Sequence, residues 1–116
     1  MRIEIKGRNT EVTDELSEAV RKRFSRVSRQ VSELASLDVE LLEERNPAIT
    51  DRYVAEAILH VKGGPLVARE ASPDMLGSIH AVSEDIHRQV KRHREKRRGR
   101  EKARRMVDGL RRSSTA

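Results

Sequence analysis

Tyr53-Val54-Ala55-Glu56-Ala57-Ile58-Leu59-His60-Val61, followed by Lys62-Gly63-Gly64-Pro65 and then Leu66-Val67-Ala68-Arg69-Glu70-Ala71, is the stretch that decides the fold. Its first part alternates. Tyr53, Ala55, Ala57, Leu59 and Val61 fall on one face, with Glu56 and His60 on the other. That is the two-residue period of a half-buried strand. Lys62 to Pro65 is a tight turn, because glycine accepts the positive φ that hairpins need. Leu66 to Ala71 returns as a second strand, so the pair is antiparallel and has one face to bury.

Upstream, Leu37, Val39 and Leu41 alternate with Asp38 and Glu40, which gives another strand. Asn46-Pro47, inside residues 45–51, marks the turn that follows it. At the start of the chain Ile3 and Ile5 alternate with Arg2, Glu4 and Lys6, a further strand ended by Gly7-Arg8-Asn9. A helix lies between these two strands. Thr13 is its expected N-cap, and Asp14 and Glu15 sit where negative charge complements the helix dipole. Leu16, Val20, Phe24, Val27, Val31 and Leu34 then recur within an arc of about 80°, a core-facing stripe. Ser36 closes this helical region.

Downstream, Ser72-Pro73-Asp74 opens a last helix, with Ser72 or Asp74 as cap and Pro73 suited to the first turn. Met75, Ile79, Val82, Ile86 and Val90 hold its stripe. On the same face the next residues are His93 and Arg97, so the packed part is expected to end near Val90. The order is β-α-β-β-β-α. A right-handed β-α-β crossover makes the first two strands parallel, and short connections make the rest an antiparallel meander. The fold class is α+β, a two-layer domain whose four-stranded sheet carries both helices on one face. The expected division is a domain over 1–93 and a basic helical extension with a disordered tail over 94–116.

Charge narrows the function. The 116 residues include 38 % charged side chains, the net charge is +6, and only Phe24 and Tyr53 are aromatic. Residues 1–87 hold 12 Lys/Arg and 16 Asp/Glu, a net of −4, while residues 88–116 hold 13 and 3, a net of +10. Such focused positive charge points to a polyanionic partner. Cysteine is absent, which excludes disulfides, thiolate metal sites and Cys nucleophiles. No apolar run has the length of a membrane span, and the N-terminus does not resemble a signal peptide. The expected location is the cytoplasm.

Two rows of cations stand out. Lys22, Arg26 and Arg29 follow one another at i, i+4, i+7 on the first helix, with Arg23 at the edge of the apolar stripe. Arg88, Arg92 and Lys96 form an i, i+4, i+8 row on the last helix, flanked by Lys91 and Arg94. If both helices cover one sheet face, the two rows can form one basic surface for RNA phosphates, with Lys91 and Arg94 on other faces of the last helix. The plainer alternative is that charges solvate helix faces; it weighs more on the first helix, which also carries Glu18 and Glu33. Open aromatic platforms are missing, so recognition is expected through phosphates, sugars and RNA shape rather than base identity. His80, Glu84 and His87 share a helix face at a spacing that suits metal ligands, but no fourth ligand accompanies them, and a wet helix face is preferred. Lys62-Gly63-Gly64-Pro65 lacks the phosphate-loop pattern, and no nucleophile elbow or distinct carboxylate pair is present, so neither enzyme activity nor a cofactor or metal is expected.

Ile3-x-Ile5-x-Gly7-x-Asn9 leading into Glu11-Val12-Thr13, Leu66-Val67-Ala68 ahead of Asp74-Met75, and Ile79-x-x-Val82-x-x-x-Ile86-x-x-Gln89-Val90-x-Arg92 together resemble the bacterial family of ribosome hibernation-promoting factors and ribosome-associated inhibitors, also called sigma-54 modulation proteins. The likeness spans about residues 1–98. It implies a fold similar to double-stranded-RNA-binding domains. It also implies binding between head and body of the small ribosomal subunit, over the tRNA and mRNA paths, with inhibition of translation in stress or stationary phase. By position, Arg23, Arg26, Arg29, Arg88, Lys91, Arg92 and Lys96 are implied as rRNA contacts. The partners are then the small subunit and its 16S rRNA, with no membrane, no small-molecule substrate and a monomer off the ribosome. The alternatives are a general binder of structured RNA or a ribosome-assembly protein, and, from another class, a protein-interaction role on the acidic part of the domain.

Two departures from the family pattern matter. Where the family usually has Asp-Met-Tyr-x-Ala-Ile-Asp, this chain reads Asp74-Met75-Leu76-Gly77-Ser78-Ile79-His80, and Gly77 is expected to cost about 1 kcal/mol against Ala. The chain also looks like a short member, lacking the dimerisation domain of the long ones, and its tail is basic.

Overall fold

The hairpin forms where the alternation places it. In the computed structural model, which describes residues 1–114 with side chains through Leu110, β3 (Tyr53–His60) pairs antiparallel with β4 (Leu66–Ser72). β2 (Ser36–Glu43) pairs antiparallel with β3, and β1 (Arg2–Arg8) runs parallel to β2. The sheet order β1-β2-β3-β4 is the expected meander with one parallel edge.

Register explains the core. Ile3, Leu37, Leu59 and Leu66 line up across the four strands, and Ile5, Val39, Ala57 and Ala68 form the next row on the same face. The second row changes from large to small where α3 (Met75–Ser114) lies over β3 and β4. Ala55, Ala57 and Ala68 are buried there, and their short side chains let a helix approach the sheet. Val20, Phe24 and Val27 cover the same face, so both helical segments lie on one side, in two layers. Each fully buried Val, Leu, Ile or Phe side chain stabilises the fold by about 1.5–3 kcal/mol.

The first helical region differs from expectation. Rather than one helix to about residue 35, there are two: α1 (Asp14–Arg23) and α2 (Ser25–Gln30). Thr13 caps α1 as expected, its Oγ1 accepting from the Leu16 N–H at 3.2 Å. Phe24, at φ −90° and ψ 5°, joins the two. Its N–H still donates to Val20 O and its carbonyl accepts from Ser28 N–H, both at 3.0 Å. The buried stripe therefore continues across the break. Beyond Gln30, Val31 is extended, and Ser32 makes a turn in which its Oγ accepts from Leu34 N–H at 3.2 Å. A serine that supplies local hydrogen bonds offers the backbone an alternative to helix. Leu34, expected in the core stripe, is therefore 94 % exposed.

α3 is capped by Asp74, whose Oδ1 accepts from Gly77 N–H at 2.8 Å. Pro73 thus precedes the cap instead of entering the first turn. Gly77 fits this cap: a Cβ there would lie 2.9 Å from Asp74 Oδ2 and 3.1 Å from Ser72 Oγ. Burial along α3 stops at Val90, as the stripe predicts. One turn on, His93 Nε2 lies 2.9 Å from Lys62 O and closes over the hairpin turn. Gly63 (φ +82°) passes beneath that ring. The 40 residues of α3 make a rod of about 60 Å, which accounts for the molecular extents of 72 × 28 × 17 Å. The disorder expected at the C-terminal end falls on residues whose side chains, and at 115–116 the backbone, lie outside the described residues.

Candidate nucleic-acid interface

The nine predicted cations are all exposed. Lys22 and Arg23 lie in the last turn of α1, where positive charge also complements the carbonyl end of the helix. They share a shallow cleft with Glu15, Glu18 and Leu76, so the potential around them is mixed. Arg26 and Arg29 follow in α2. Arg26 has a protein partner: its Nη2 donates to Glu84 Oε1 of α3 at 2.9 Å, tying the two helices together. Its side chain remains 56 % exposed, so it can still reach an outside anion, at reduced net charge.

α3 distributes its cations around the rod rather than in one row facing α1 and α2. At about 100° per residue, Lys91 and Arg94 turn toward the side of Glu84, and Arg88 points away from the sheet. Arg94 borders a groove together with Gln30 and Val31, at the end of α2. Arg92 and Lys96 occupy the opposite flank, in a cleft with Leu66 and Gln89 above β4. Gln89 is itself fixed there, its Nε2 donating to Val67 O at 2.8 Å. The expected single surface is thus a ridge with two charged flanks, one of which meets the first helical region.

Arg97, Lys62 and His93 were not among the predicted site residues, yet they gather at the groove beside Arg94. The stripe extension that placed His93 and Arg97 beyond the core was the available signal; the contribution of the hairpin turn had none. Neither aromatic residue offers a stacking platform: Phe24 is fully buried and Tyr53 packs against the core.

The opposite sheet face has a different character. Glu4, Lys6, Asp38, Glu40 and Glu56 line it, and Lys6 pairs with Glu4 at 3.8 Å. Arg69 Nη1 lies 3.3 Å from Glu56 Oε2, and His60 Nε2 3.0 Å from Asp38 Oδ2. Arg8 pairs with Glu40 at 3.8 Å. Exposed pairs of this kind contribute little stability, roughly 0–1 kcal/mol each. They leave that face near neutral, and the basic ridge stands on the other side of the sheet.

On the metal question, Glu84 is engaged by Arg26 and His80 is exposed. Among the described residues no group of three or more His, Cys, Asp or Glu is arranged to hold a metal ion. No described helix is long and apolar enough to cross a membrane.

Residues 3–98 match the family model described as Sigma 54 modulation protein / S30EA ribosomal protein. A ribosome hibernation promoting factor of Azotobacter vinelandii is 31 % identical over 108 residues, covering 93 % of this chain and 96 % of that protein. Another of that name, from Acinetobacter guillouiae, is 28 % identical over 100 residues, covering 82 % and 88 %. Among solved structures, the N-terminal domain of Thermus thermophilus Protein Y superposes with a TM-score of 0.68 at 26 % identity, covering 80 % of this chain and 99 % of that one.

Proposed function

The chain belongs to the Sigma 54 modulation protein / S30EA ribosomal protein family, and from that premise we propose that it is a ribosome hibernation factor that binds the small subunit and keeps it idle. It acts by occupancy, not catalysis: a rigid two-layer domain is laid over the decoding region between head and body, where tRNA and mRNA would run. The contacts are phosphates and sugars of 16S rRNA, met by Lys22, Arg23, Arg26 and Arg29 from α1 and α2 and by Arg88, Lys91, Arg92, Arg94 and Lys96 from α3. It requires no cofactor or metal, works in the cytoplasm and is a monomer off the ribosome. Residues 1–93 form the docking domain, and residues 94–116 act as a basic arm.

The observation that carries this reading is the placement of charge. A net of +10 on residues 88–116 begins where the buried stripe of α3 ends, at Val90, so the cations are held on a rod that the core anchors. Each phosphate neutralised releases counterions, and the contacts add; six to ten of them cost about 10³–10⁵ in affinity between 50 and 200 mM salt.

Sucrose-gradient co-sedimentation with ribosomes, at low and high salt and with or without prior tRNA loading, tests it. Small-subunit binding that high salt removes and tRNA blocks is expected. Binding indifferent to tRNA would instead favour a second reading, a general binder of structured RNA or an assembly protein. The two charged flanks of α3 and the absence of a stacking platform favour that alternative. It predicts equal affinity for a free RNA duplex and for intact small subunits.

A further inference from the structure

The misplaced leucine leads to a site. Val31 and Val61 form the apolar floor, and Leu34 the rim, of a groove of about 600 Å³ between the turn after α2 and the start of the α3 extension. That size lies within the range of about 300–1,000 Å³ typical of small-ligand sites. Lys62, Arg94 and Arg97 stand along its walls, and no carboxylate lines it. Gln30 Oε1 is buried at its edge without a hydrogen-bond partner. An unpaired buried amide oxygen is unfavourable, and turning the amide outward would let it pair with a donor on a ligand in the groove.

We propose that this groove takes one unpaired nucleotide of an RNA strand, its base on the apolar floor and its phosphates under Arg94 and Arg97. This rests on the RNA-binding reading above and adds to it a contact with a base, which the sequence did not suggest. The chemistry matches in three respects. A base is a flat, largely apolar body that can lie against aliphatic side chains or a guanidinium plane. Its edge carries N–H donors and ring acceptors, and the Gln30 amide, turned outward, offers an acceptor oxygen and N–H donors. Its phosphates need cations beside the base, and Lys62, Arg94 and Arg97 line the groove. The groove also continues the basic flank of α3 through Arg94, so a strand running along that flank reaches it without turning back. An acidic peptide would also satisfy the cations, and competition by such a peptide is therefore one arm of the test.

The test uses the full-length protein and single-stranded RNA hexamers of each base, compared with the same hexamers made abasic at one central position, by fluorescence anisotropy at low salt. For at least one base the intact hexamer is expected to bind about fivefold tighter than its abasic counterpart, roughly 1 kcal/mol. Leu34→Ala and Gln30→Ala should each reduce that difference toward unity while leaving abasic binding unchanged. Leu34 is 94 % exposed, so its replacement is not expected to unfold the domain, and a thermal melt checks this. Equal binding of intact and abasic hexamers, or no binding of either, overturns the proposal. So does a base preference that survives both substitutions, or a hexaglutamate peptide that displaces the RNA at comparable concentration. Salt-sensitive co-sedimentation with ribosomes, run on the same variants, keeps the two levels apart. If it persists while base preference is absent, only the nucleotide site falls; if it is absent in the wild type, the wider reading falls.

Discussion

The two halves of α3 share one backbone and almost nothing else. From Met75 to Val90 the helix exists because a stripe of Met75, Ile79, Val82, Ile86 and Val90 is buried against the sheet. From Lys91 onward no described apolar side chain is buried, and most of the charged residues are Lys and Arg. The first half is held by tertiary packing and could not be solvated without loss. The second is held by continuity with the first, since extending an existing helix avoids the cost of nucleation. Stability and binding are thereby placed on different stretches of one element. A binding surface made only of exposed charge can change without touching the core.

Substitutions should separate the halves accordingly. The largest effect is expected from Ile86→Ala, which empties a fully buried position and should cost about 2–5 kcal/mol in chemical denaturation. Binding would then fail along with folding. Reversal of Arg88, Arg92 and Lys96 to Glu should do the opposite. Unfolding free energy is expected to move by no more than about 0.5 kcal/mol per site, while co-sedimentation with ribosomes weakens by about tenfold or more and its salt dependence becomes shallower. Wild-type co-sedimentation of this triple variant would break the comparison. Ending the chain after Arg98, the last residue of the family match, should leave the thermal midpoint within a few degrees and reduce helical circular dichroism and ribosome affinity together.

Two smaller changes sharpen the boundary between the halves. Arg26→Ala removes the pair with Glu84; as an exposed ion pair it should cost about 0–1 kcal/mol of stability, and any larger loss of ribosome binding would show that Arg26 contacts rRNA as well as Glu84. Gly77→Ala should be the mildest. The helical preference for alanine is worth about 1 kcal/mol, and the close approach to the Asp74 carboxylate opposes it. The expected net change in the denaturation midpoint is near zero, whereas full recovery of the alanine gain would mean that the cap yields easily.

Much of this was legible in the chain. The four strands, the hairpin, the parallel edge, the Thr13 cap and the end of burial at Val90 all follow from period and turn chemistry, which are local. What escaped was local competition and distant pairing. Apolar spacing carried the first helix through Leu34 because a stripe count does not register that Ser32 can satisfy neighbouring backbone groups itself. The break at Phe24 was equally hidden, since the stripe persists across it. At the interface, the sequence identified which cations are exposed and left open where they stand relative to one another. Arg26 and Glu84 are 58 positions apart, and no spacing rule brings them together. Arg92 and Lys96 could be placed on a flank of α3 from the sequence, but only the packing of α3 over β4 shows what that flank adjoins.

The segregation of charge along this molecule has one more consequence. A slightly anionic body joined to a cationic rod of about 40 Å is a permanent electric dipole lying close to the α3 axis. Near a polyanionic surface such an object feels a torque as well as an attraction. It is turned before contact so that the rod leads, and the orientational search that slows most docking events is partly completed during the approach.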